Sequence, residues 1–309
     1  MKTALIAGGA GFIGSHLCEK LLEKKYSVIC VDNFETSSRK NILKLFKNKN
    51  FKFIKQDITK NFKVKGKIDE IYSLASIASP ILYSKKTLTT AMTNAFGMKK
   101  MLDLASTKKA KIFFSSTSET YGDPLVHPQK ESYTGNVNAF SLRACYDESK
   151  RFAETLCFLY SKEKKVKIRI ARIFNTYGPK MNPEDGRVIP SFIVNSLKNK
   201  NIVIFGNGKQ TRSFCFVDDL VDGIYKLMQS SYDKPVNLGN PNEMTINELA
   251  KKIIKLNKSK SKIIFKKMME GDPSKRKPDI SLAKRKLGWK PKTNLNEGLE
   301  KTIDYFKSI

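Results

Sequence analysis

The sequence predicts an α/β fold with a doubly wound parallel sheet and a smaller C-terminal lobe that binds substrate. Six short apolar runs, at 3–7, 28–31, 51–54, 69–74, 111–115 and 167–173, alternate with helical patterns. The first run leads directly into a glycine-rich segment, and the second run ends at Asp32. Strands that alternate with helices are typical of a parallel sheet covered by helices on both faces.

The glycine-rich segment at residues 8–14 (GGAGFIG) predicts a strand, a tight turn and a helix that together bind a dinucleotide. Glycines let the backbone approach a pyrophosphate, which the N-terminus of the following helix, predicted over 15–24, attracts. Asp32 stands where such folds place the acid that binds an adenosine ribose. This order predicts a Rossmann-type domain, and it favours NAD because a carboxylate repels the 2′-phosphate of NADP.

A second group of residues predicts catalysis beside that cofactor. Tyr146 and Lys150 are four positions apart in a helical pattern, so their side chains share one face. A tyrosine has an ordinary pKa of about 10, so it becomes a base at neutral pH only where nearby positive charge stabilises the phenolate. Lys150 and an oxidised nicotinamide would supply that charge, Thr117 could hold a substrate hydroxyl beside the phenol, and Glu119 adds a carboxylate. A Tyr-x-x-x-Lys match also arises by chance, and the glycine-rich context is what favours catalysis.

The C-terminal part of the chain has a less regular pattern. In a chain of 309 residues we expect a cofactor-binding domain over 1–174 and a lobe over 175–309 that mainly binds substrate, with some exchange of chain between them. Turn signals at 175–179, 182–186 and 206–208 surround a predicted helix at 192–197 and a predicted strand at 202–205. Such a lobe would lie over the carboxyl ends of the sheet, where ligands of these folds bind.

Composition argues against several other classes of protein. The net charge of +29 comes from lysines spread along the whole chain, so we expect solvated faces and no nucleic-acid partner. His16 and His127 are too few for a metal site, and the five cysteines lie apart in apolar surroundings, as reduced buried thiols do. No apolar run reaches the length of a membrane span and no signal peptide precedes the first strand, so we expect a soluble, cytoplasmic protein without a membrane partner.

The motifs also resemble a known family over nearly the whole chain. The matching stretches are 8–16, 116–129, 135–138, 143–150, 171–179, 185–188, 210–214, 219–221, 236–241, 276–280 and 287–289. They are similar to the extended short-chain dehydrogenase/reductases that act on nucleotide sugars, and among these to the UDP-glucuronate decarboxylases. Sugar 4,6-dehydratases carry Asp-Glu after the threonine, and 4-epimerases lack the glutamate. This chain has Ser118-Glu119, as the decarboxylases do.

The resemblance implies NAD-dependent conversion of UDP-glucuronate to UDP-xylose by oxidation at C4, loss of CO2 and re-reduction. It implies catalytic roles for Thr117, Glu119, Tyr146, Lys150 and Arg276. It implies cofactor contacts from Gly8, Gly11, Phe12, Ile13, Gly14, Asp32, Asn33, Phe34, Thr36, Asp57, Ile58, Leu74, Ala75, Ser76, Thr93, Ser115, Tyr146, Lys150 and Thr176. It implies contacts to the UDP-sugar from Ser79, Pro80, Glu119, Tyr160, Asn175, Arg187, Gln210, Arg212 and Arg276.

Relatives pair the helix that carries the catalytic tyrosine into a helix–helix interface, and here Phe152, Leu156 and Leu159 follow at helical spacing. We therefore expect a homodimer, with an ordinary core stripe as the alternative. Two other functions stay open: a different NAD-dependent nucleotide-sugar enzyme, such as an epimerase, a dehydratase or a decarboxylase that releases a 4-keto-pentose, and a catalytically silent NAD-binding protein. The intact Thr117, Tyr146 and Lys150 argue against the last.

Overall fold

A parallel sheet of seven strands forms the centre of the computed structural model, which describes residues 1–267 and 275–309. Its strands are β1 (Thr3–Ala7), β2 (Ser27–Asp32), β3 (Phe51–Lys55), β4 (Glu70–Ser73), β5 (Lys111–Thr117), β6 (Ile168–Ile173) and β11 (Pro235–Leu238), in the order β11-β6-β5-β4-β1-β2-β3. The chain runs outward from β1 in one direction and then from β4 in the other. This reversal creates a crevice outside the carboxyl ends of β1 and β4, the usual ligand site of open α/β sheets.

Two layers of helices cover the sheet. The α-helices are α1 (Phe12–Glu23), α2 (Pro80–Tyr83), α3 (Thr87–Met92), α4 (Met98–Lys108), α5 (Ala144–Glu163), α6 (Val188–Leu197), α7 (Val217–Gln229), α8 (Ile246–Leu256), α9 (Ser281–Leu287) and α10 (Leu295–Lys307). Helices α1 and α7 share one apolar core with Phe113, whereas α4 and α5 share another with Ile112 and Phe114. Because adjacent residues of β5 are buried on opposite faces, the doubly wound arrangement predicted from the apolar runs is confirmed.

The turn after β1 requires glycine at two positions. Gly8 has a φ of +78°, and a Cβ there would lie 2.6 Å from the backbone nitrogen of Ala75. A Cβ on Gly14 would lie 2.1 Å from the carbonyl oxygen of Gly8. Glycine therefore lets α1 begin close to the end of β1, which leaves the first N–H groups of α1 at the crevice.

The C-terminal part of the chain builds a small lobe from short strands. These are β7 (Thr176–Tyr177), β8 (Ile202–Phe205), β9 (Thr211–Ser213), β10 (Cys215–Phe216), β12 (Glu243–Thr245), β13 (Ile263–Lys266) and β14 (Lys275–Arg276). They pair as β10-β7, β13-β8 and β12-β9-β14. The lobe also returns chain to the main sheet, because β11 pairs with β6 and α7 packs on α1. The boundary predicted at residue 174 therefore does not divide the main sheet, since β11 of the C-terminal part belongs to it.

Most local predictions agree with the structure, with small shifts at the ends of elements. The first helix begins at Phe12 rather than at residue 15, and α6 begins at Val188 rather than at residue 192. The predicted turn at 175–179 contains the two-residue strand β7. Cys18, Cys30, Cys157 and Cys215 are buried free thiols and Cys145 is partly exposed. Among the helices that the structure describes, none combines the length and the apolar character that a membrane crossing requires.

Candidate active site

A large cleft lies outside the carboxyl ends of β1, β4 and β5, between the sheet and the C-terminal lobe. Its volume is about 1100 Å³, and its walls come from both parts of the chain. The glycine-rich turn and Asp32 lie on its lining, as do the ends of β4 and β5, the start of α5, and Arg187, Arg212 and Arg276. This volume lies just above the range of about 300 to 1,000 Å³ that is usual for ligand pockets, so the cleft suits a large ligand.

The glycine-rich wall of the cleft fits a dinucleotide. Gly8, Gly11 and Gly14 all line it, and side chains at Gly8 and Gly14 would collide with backbone. Ser76, three residues after β4, also lines the cleft, and its hydroxyl oxygen is buried with no hydrogen-bond partner among the residues that the structure describes. A buried polar atom that lacks a partner indicates a group normally supplied by a ligand. The glycine-rich turn suits a pyrophosphate, and the Ser76 hydroxyl offers a polar contact for another part of the cofactor. This wall of the cleft therefore fits NAD.

Asp32 ends β2 at the far end of this wall and is held firmly. Its carboxylate accepts hydrogen bonds from the backbone N–H of Ala10 at 2.9 Å and of Phe34 at 2.9 Å. The hydroxyl of Ser37 also donates to it at 2.7 Å. The carboxylate is therefore fixed beside the cleft, where it can accept from ribose hydroxyls and repel a phosphate.

The structure brings nearly all predicted cofactor residues into the cleft, with one exception. Those on its lining are Gly8, Gly11, Phe12, Ile13, Gly14, Asp32, Asn33, Thr36, Asp57, Ile58, Leu74, Ala75, Ser76, Thr93, Ser115, Tyr146, Lys150 and Thr176. Phe34 is not among them. Its ring stacks on Phe53 at a centroid distance of 5.0 Å and packs on the core, so it supports the loop after β2 rather than the ligand surface.

Thr117 and Tyr146 both line the cleft, and their side chains lie close together. Thr117 is the last residue of β5, and its hydroxyl caps the next 3-10 turn by accepting from the N–H of Glu119 at 3.2 Å. Tyr146 lies in the first turn of α5, where its ring stacks on Tyr83 at 5.2 Å. Burial raises the pKa of Tyr146 well above its ordinary value, and a hydrogen bond from Thr117 acts in the opposite direction. The phenol is therefore protonated until positive charge is brought close to it.

Lys150 lies one turn further along α5 and is almost completely buried. Its ammonium nitrogen donates to the backbone carbonyl of Ser115 at 2.8 Å and lies 5.7 Å from the centre of the Tyr146 ring. Burial lowers the pKa of Lys150 to about 7, although the charge of Glu154 opposes this shift. The predicted face shared by Tyr146 and Lys150 is present, and burial disfavours the charged form of both side chains.

Glu119 is the centre of an ion-pair cluster in the part of the cleft that lies next to Thr117. One carboxylate oxygen pairs with Arg276, and the other pairs with Arg143 at 2.5 Å. Burial opposes ionisation, but the charges of Arg276 and Arg143 outweigh it and lower the pKa of Glu119. Arg276 also donates to the carbonyl of Gly122 at 3.0 Å, so this arginine is fixed in the cleft rather than free on the surface.

Arg143 lies in a stretch that matches the family, 143–150, but it was not predicted as a site residue. It precedes the first residue of α5, and its carbonyl accepts from the N–H groups of Tyr146 and Asp147. The sequence does contain a signal, because Arg143 stands three positions before Tyr146, on the same helix face. Its pairing with Glu119 depends on how the segment between β5 and α5 folds back, which no local pattern predicts.

Seven of the nine predicted sugar-nucleotide residues lie in the cleft: Ser79, Pro80, Glu119, Asn175, Arg187, Arg212 and Arg276. Tyr160 and Gln210 do not line the cleft. The Tyr160 hydroxyl lies 2.5 Å from the carboxylate of Asp103, near the end of α5 and away from the cleft. The Gln210 side chain donates to the carbonyl of Phe205 at 2.6 Å, so it closes a turn in the lobe and does not line the cleft.

The fold and the site together define a nicotinamide-dependent enzyme of the extended short-chain dehydrogenase/reductase class. The family model described as GDP-mannose 4,6 dehydratase matches residues 5–302. UDP-glucuronic acid decarboxylase 1 of Xenopus tropicalis is 47% identical over 306 residues, which are 99% of this chain and 72% of that protein. UDP-glucuronic acid decarboxylase 3 of Arabidopsis thaliana is 49% identical over 296 residues, which are 96% of this chain and 86% of that protein.

Solved structures agree with this class. A UDP-glucuronic acid 4-epimerase from Bacillus cereus, in complex with UDP-glucuronic acid and NAD, superposes with a TM-score of 0.91 at 30% identity and with 99% of both chains covered. The UDP-glucose 4-epimerase of Thermotoga maritima, with UDP-glucose, gives a TM-score of 0.90 at 30% identity, again with 99% of both chains covered. The chain belongs to the family of the UDP-glucuronic acid decarboxylases.

Proposed function

We propose that this chain catalyses the NAD-dependent decarboxylation of UDP-glucuronate to UDP-xylose. The observation that carries the proposal is Glu119 paired with Arg276 inside the cleft, next to Thr117 and Tyr146. Ser118 stands between Thr117 and Glu119, so the site lacks the acid that an elimination of water needs for its leaving hydroxyl. The relatives that are 47% and 49% identical are decarboxylases of this substrate.

The reaction needs a base at C4, and Tyr146 fits that role. It accepts the proton of the C4 hydroxyl, which Thr117 orients, and it returns the proton when C4 is reduced again. When bound, NAD supplies the acceptor for the C4 hydride and later the donor of the same hydride. The Lys150 ammonium stabilises the phenolate by its charge.

Loss of CO2 becomes easy once C4 is a ketone, because the ketone is then β to the carboxylate on C5. The C–C bond breaks, its electron pair forms an enolate, and a proton adds at C5 to complete the pentose. No acid for a leaving hydroxyl is required, which agrees with Ser118. Glu119 and Arg276 act at this end of the sugar, where Arg276 offsets the developing negative charge.

The nucleotide end of the substrate is assigned to the lobe side of the cleft. Arg187, which pairs with Asp185 at 2.6 Å, and Arg212, which is buried, both line the cleft there, and Asn175 lies beside them. Arginines suit a diphosphate because the guanidinium presents a fork of donors. On the opposite wall, the glycine-rich turn, Asp32 and the ends of β4 and β5 hold NAD. We assign Ser79 and Pro80 to the sugar, between the two.

The test is to incubate the purified protein with UDP-glucuronate and to identify the sugar nucleotide formed. We expect UDP-xylose and CO2 with no net NADH, because the hydride taken from C4 returns in the same turnover. A matched Tyr146→Phe variant should form no product. Stoichiometric NADH with a UDP-4-keto-pentose would move the assignment to a ketone-releasing decarboxylase.

A second candidate is a 4-epimerase of UDP-glucuronate, since a solved structure of that activity is 30% identical and superposes over the full chain. The paired Glu119 disfavours it, because the motif that relatives share links this glutamate to decarboxylation. A product that keeps its carboxylate and has the inverted configuration at C4 would replace the decarboxylase assignment by the epimerase. No turnover of UDP-glucuronate, with NAD still bound, would support a silent binding protein.

The homodimer is also part of the proposal. Leu88 of α3 and Phe152 of α5 are 75% and 51% exposed, and Met92, Phe96 and Leu159 are exposed with them. Helices α3 and α5 pack on each other, so these side chains belong to neighbouring elements, whereas Leu156 is partly buried against the core. An exposed apolar face of this kind favours a partner helix pair from a second copy.

Light scattering at micromolar concentration tests the dimer. We expect twice the chain mass for the unmodified protein and the monomer mass for Phe152→Asp. Leu125→Asp serves as the control, because Leu125 is also apolar and is 82% exposed but lies in a loop outside α3 and α5. A monomer for the unmodified protein would contradict the dimer.

We further propose that the enzyme acts in the cytoplasm. Support comes from the five free cysteines, four of them buried, since unpaired thiols are typical of reducing compartments. Cell fractionation with an antibody to the protein checks this, and recovery in a membrane or exported fraction would contradict it.

A further inference from the structure

Arg143 lies between two carboxyl groups at the sugar end of the cleft. On the cleft side its guanidinium pairs with Glu119, and on the other side its Nε lies 3.8 Å from a carboxylate oxygen of Asp147. Arg143 lines the cleft, whereas Asp147 is buried behind it. The order Arg276, Glu119, Arg143, Asp147 therefore alternates in charge, and we call these four residues the charge cluster.

Asp147 is the weakly compensated member of the charge cluster. It is 5% exposed, and its Oδ1 atom is buried with no hydrogen-bond partner among the described residues. Burial, and then the charge of Glu119, raises the pKa of Asp147 to about 7, while Arg143 and Arg276 act in the opposite direction. The cluster thus carries one net positive charge when Asp147 is protonated, and none when it is ionised.

We propose that Arg143 is a second cation, beside Arg276, for the carboxylate on C5 of the sugar, and that Asp147 sets how strongly the charge cluster attracts it. This inference rests on the proposed function, because it takes UDP-glucuronate as the substrate. The excess positive charge gives the site a reason to prefer a uronate to a neutral sugar. Arg143 is then a specificity residue in the cleft, and Asp147 is a positioning residue that acts through it.

The proposal gives the preference for a uronate a dependence on pH. Above neutrality Asp147 ionises, neutralises one guanidinium, and weakens attraction for the substrate carboxylate. The charged and titratable groups that face Asp147 are Glu119 on the turn after β5, Arg276 on β14, Tyr83 on α2, and Arg143, Cys145, Tyr146 and Glu148 around the start of α5. Glu119 is held ionised by its two arginines, which leaves Asp147 as the carboxyl of the cluster that changes charge near neutrality.

The experiment measures binding rather than turnover. In a Tyr146→Phe background, which stops the reaction, calorimetry compares UDP-glucuronate with UDP-glucose on the NAD-bound protein. UDP-glucose differs only in having an uncharged hydroxymethyl group on C5, so the ratio of the two affinities isolates the carboxylate. The variants are Arg143→Gln, Arg143→Lys and Asp147→Asn, each measured at about pH 6 and about pH 8, on either side of the Asp147 titration.

We expect Arg143→Gln to weaken UDP-glucuronate by about tenfold to a hundredfold and UDP-glucose by less than about threefold, as loss of a nearby charge implies. Arg143→Lys should restore most of the preference. With Arg143 and Asp147 intact, the preference should fall as pH rises, and in Asp147→Asn it should stay constant.

Equal weakening of both sugars in Arg143→Gln would overturn the proposal, since that result indicates a purely structural role. If Arg143→Gln does not fold, Arg143→Lys and Asp147→Asn still test the proposal. A preference for UDP-glucuronate over UDP-glucose that does not change with pH, with or without Asp147, would overturn it. Formation of UDP-xylose by the unmodified protein is scored separately, so failure of the proposed function is distinguishable from failure of this inference.

Discussion

Replacement of Lys150 by Met should stabilise the NAD-free protein while abolishing its activity. Lys150 is 2% exposed, and burial lowers the pKa of its ammonium from 10.5 to about 7. A lysine whose pKa is lower in the folded protein than in the unfolded chain destabilises the fold, because the unfolded chain binds the proton more tightly. The cost is therefore greatest below about pH 7, decreases as pH rises, and vanishes above the ordinary lysine pKa of about 10.4.

The size of the effect follows from the shift. A difference of about 3.5 pKa units corresponds to about 5 kcal/mol below pH 7 and to about 2 kcal/mol at about pH 9. Methionine also loses the 2.8 Å hydrogen bond to the carbonyl of Ser115. That loss costs about 1 to 3 kcal/mol and does not depend on pH. We expect net stabilisation of about 2 to 4 kcal/mol at about pH 6, and a decrease of about 3 kcal/mol in that difference by about pH 9.

Urea unfolding followed by circular dichroism measures both quantities, on protein whose nucleotide content has been checked by absorbance. Lys162→Met is the matched control, because Lys162 lies exposed on the same helix, and it should change stability by less than about 0.5 kcal/mol. A Lys150→Met variant that is no more stable than the unmodified protein at low pH, or a difference that stays constant with pH, would refute the reasoning.

Three further predictions concern the cleft. Gly14→Ala places a Cβ 2.1 Å from the carbonyl oxygen of Gly8 and should lower stability to urea. The Cβ of Gly11→Ala contacts only the same oxygen, at 3.2 Å, so this variant should keep the fold but bind NAD more weakly in calorimetry. Tyr146→Phe should lower kcat by about a thousandfold with unchanged NAD affinity; residual activity near the original level would exclude the phenol as the base. Because of Asp32, calorimetry should find NAD bound more tightly than NADP, and equal affinities would contradict that role.

The sequence predicts the sheet well where strands are long and apolar. All six predicted strands form, because runs such as 111–115 are buried on both faces and leave no competing arrangement. The seventh strand, β11, was not predicted. It has four residues, includes a proline and an asparagine, and is short enough that its pairing with β6 is decided by the rest of the fold.

The differences between the predicted site and the cleft lining have simple geometric causes. Tyr160 follows Tyr146 on the same helix, and at about 1.5 Å per residue the two are about 21 Å apart along its axis. This separation agrees with the position of Tyr160 outside the cleft lining, where its hydroxyl contacts Asp103. Arg143 was not predicted because it is far from Glu119 in sequence. Their contact forms only when the segment between β5 and α5 folds back.

The charge cluster also bears on how the sugar is held during the proposed reaction. UDP-glucuronate has a carboxylate on C5, which we expect Arg276 and Arg143 to attract although both pair with Glu119 in the structure. Decarboxylation removes that charge as CO2, so the pentose formed no longer contributes an ion to the cluster. Glu119 can then regain both arginines, and the affinity for the sugar end decreases. Because the 4-keto-pentose must stay bound until C4 is reduced again, we expect the contacts to the diphosphate, rather than the charge cluster, to retain it.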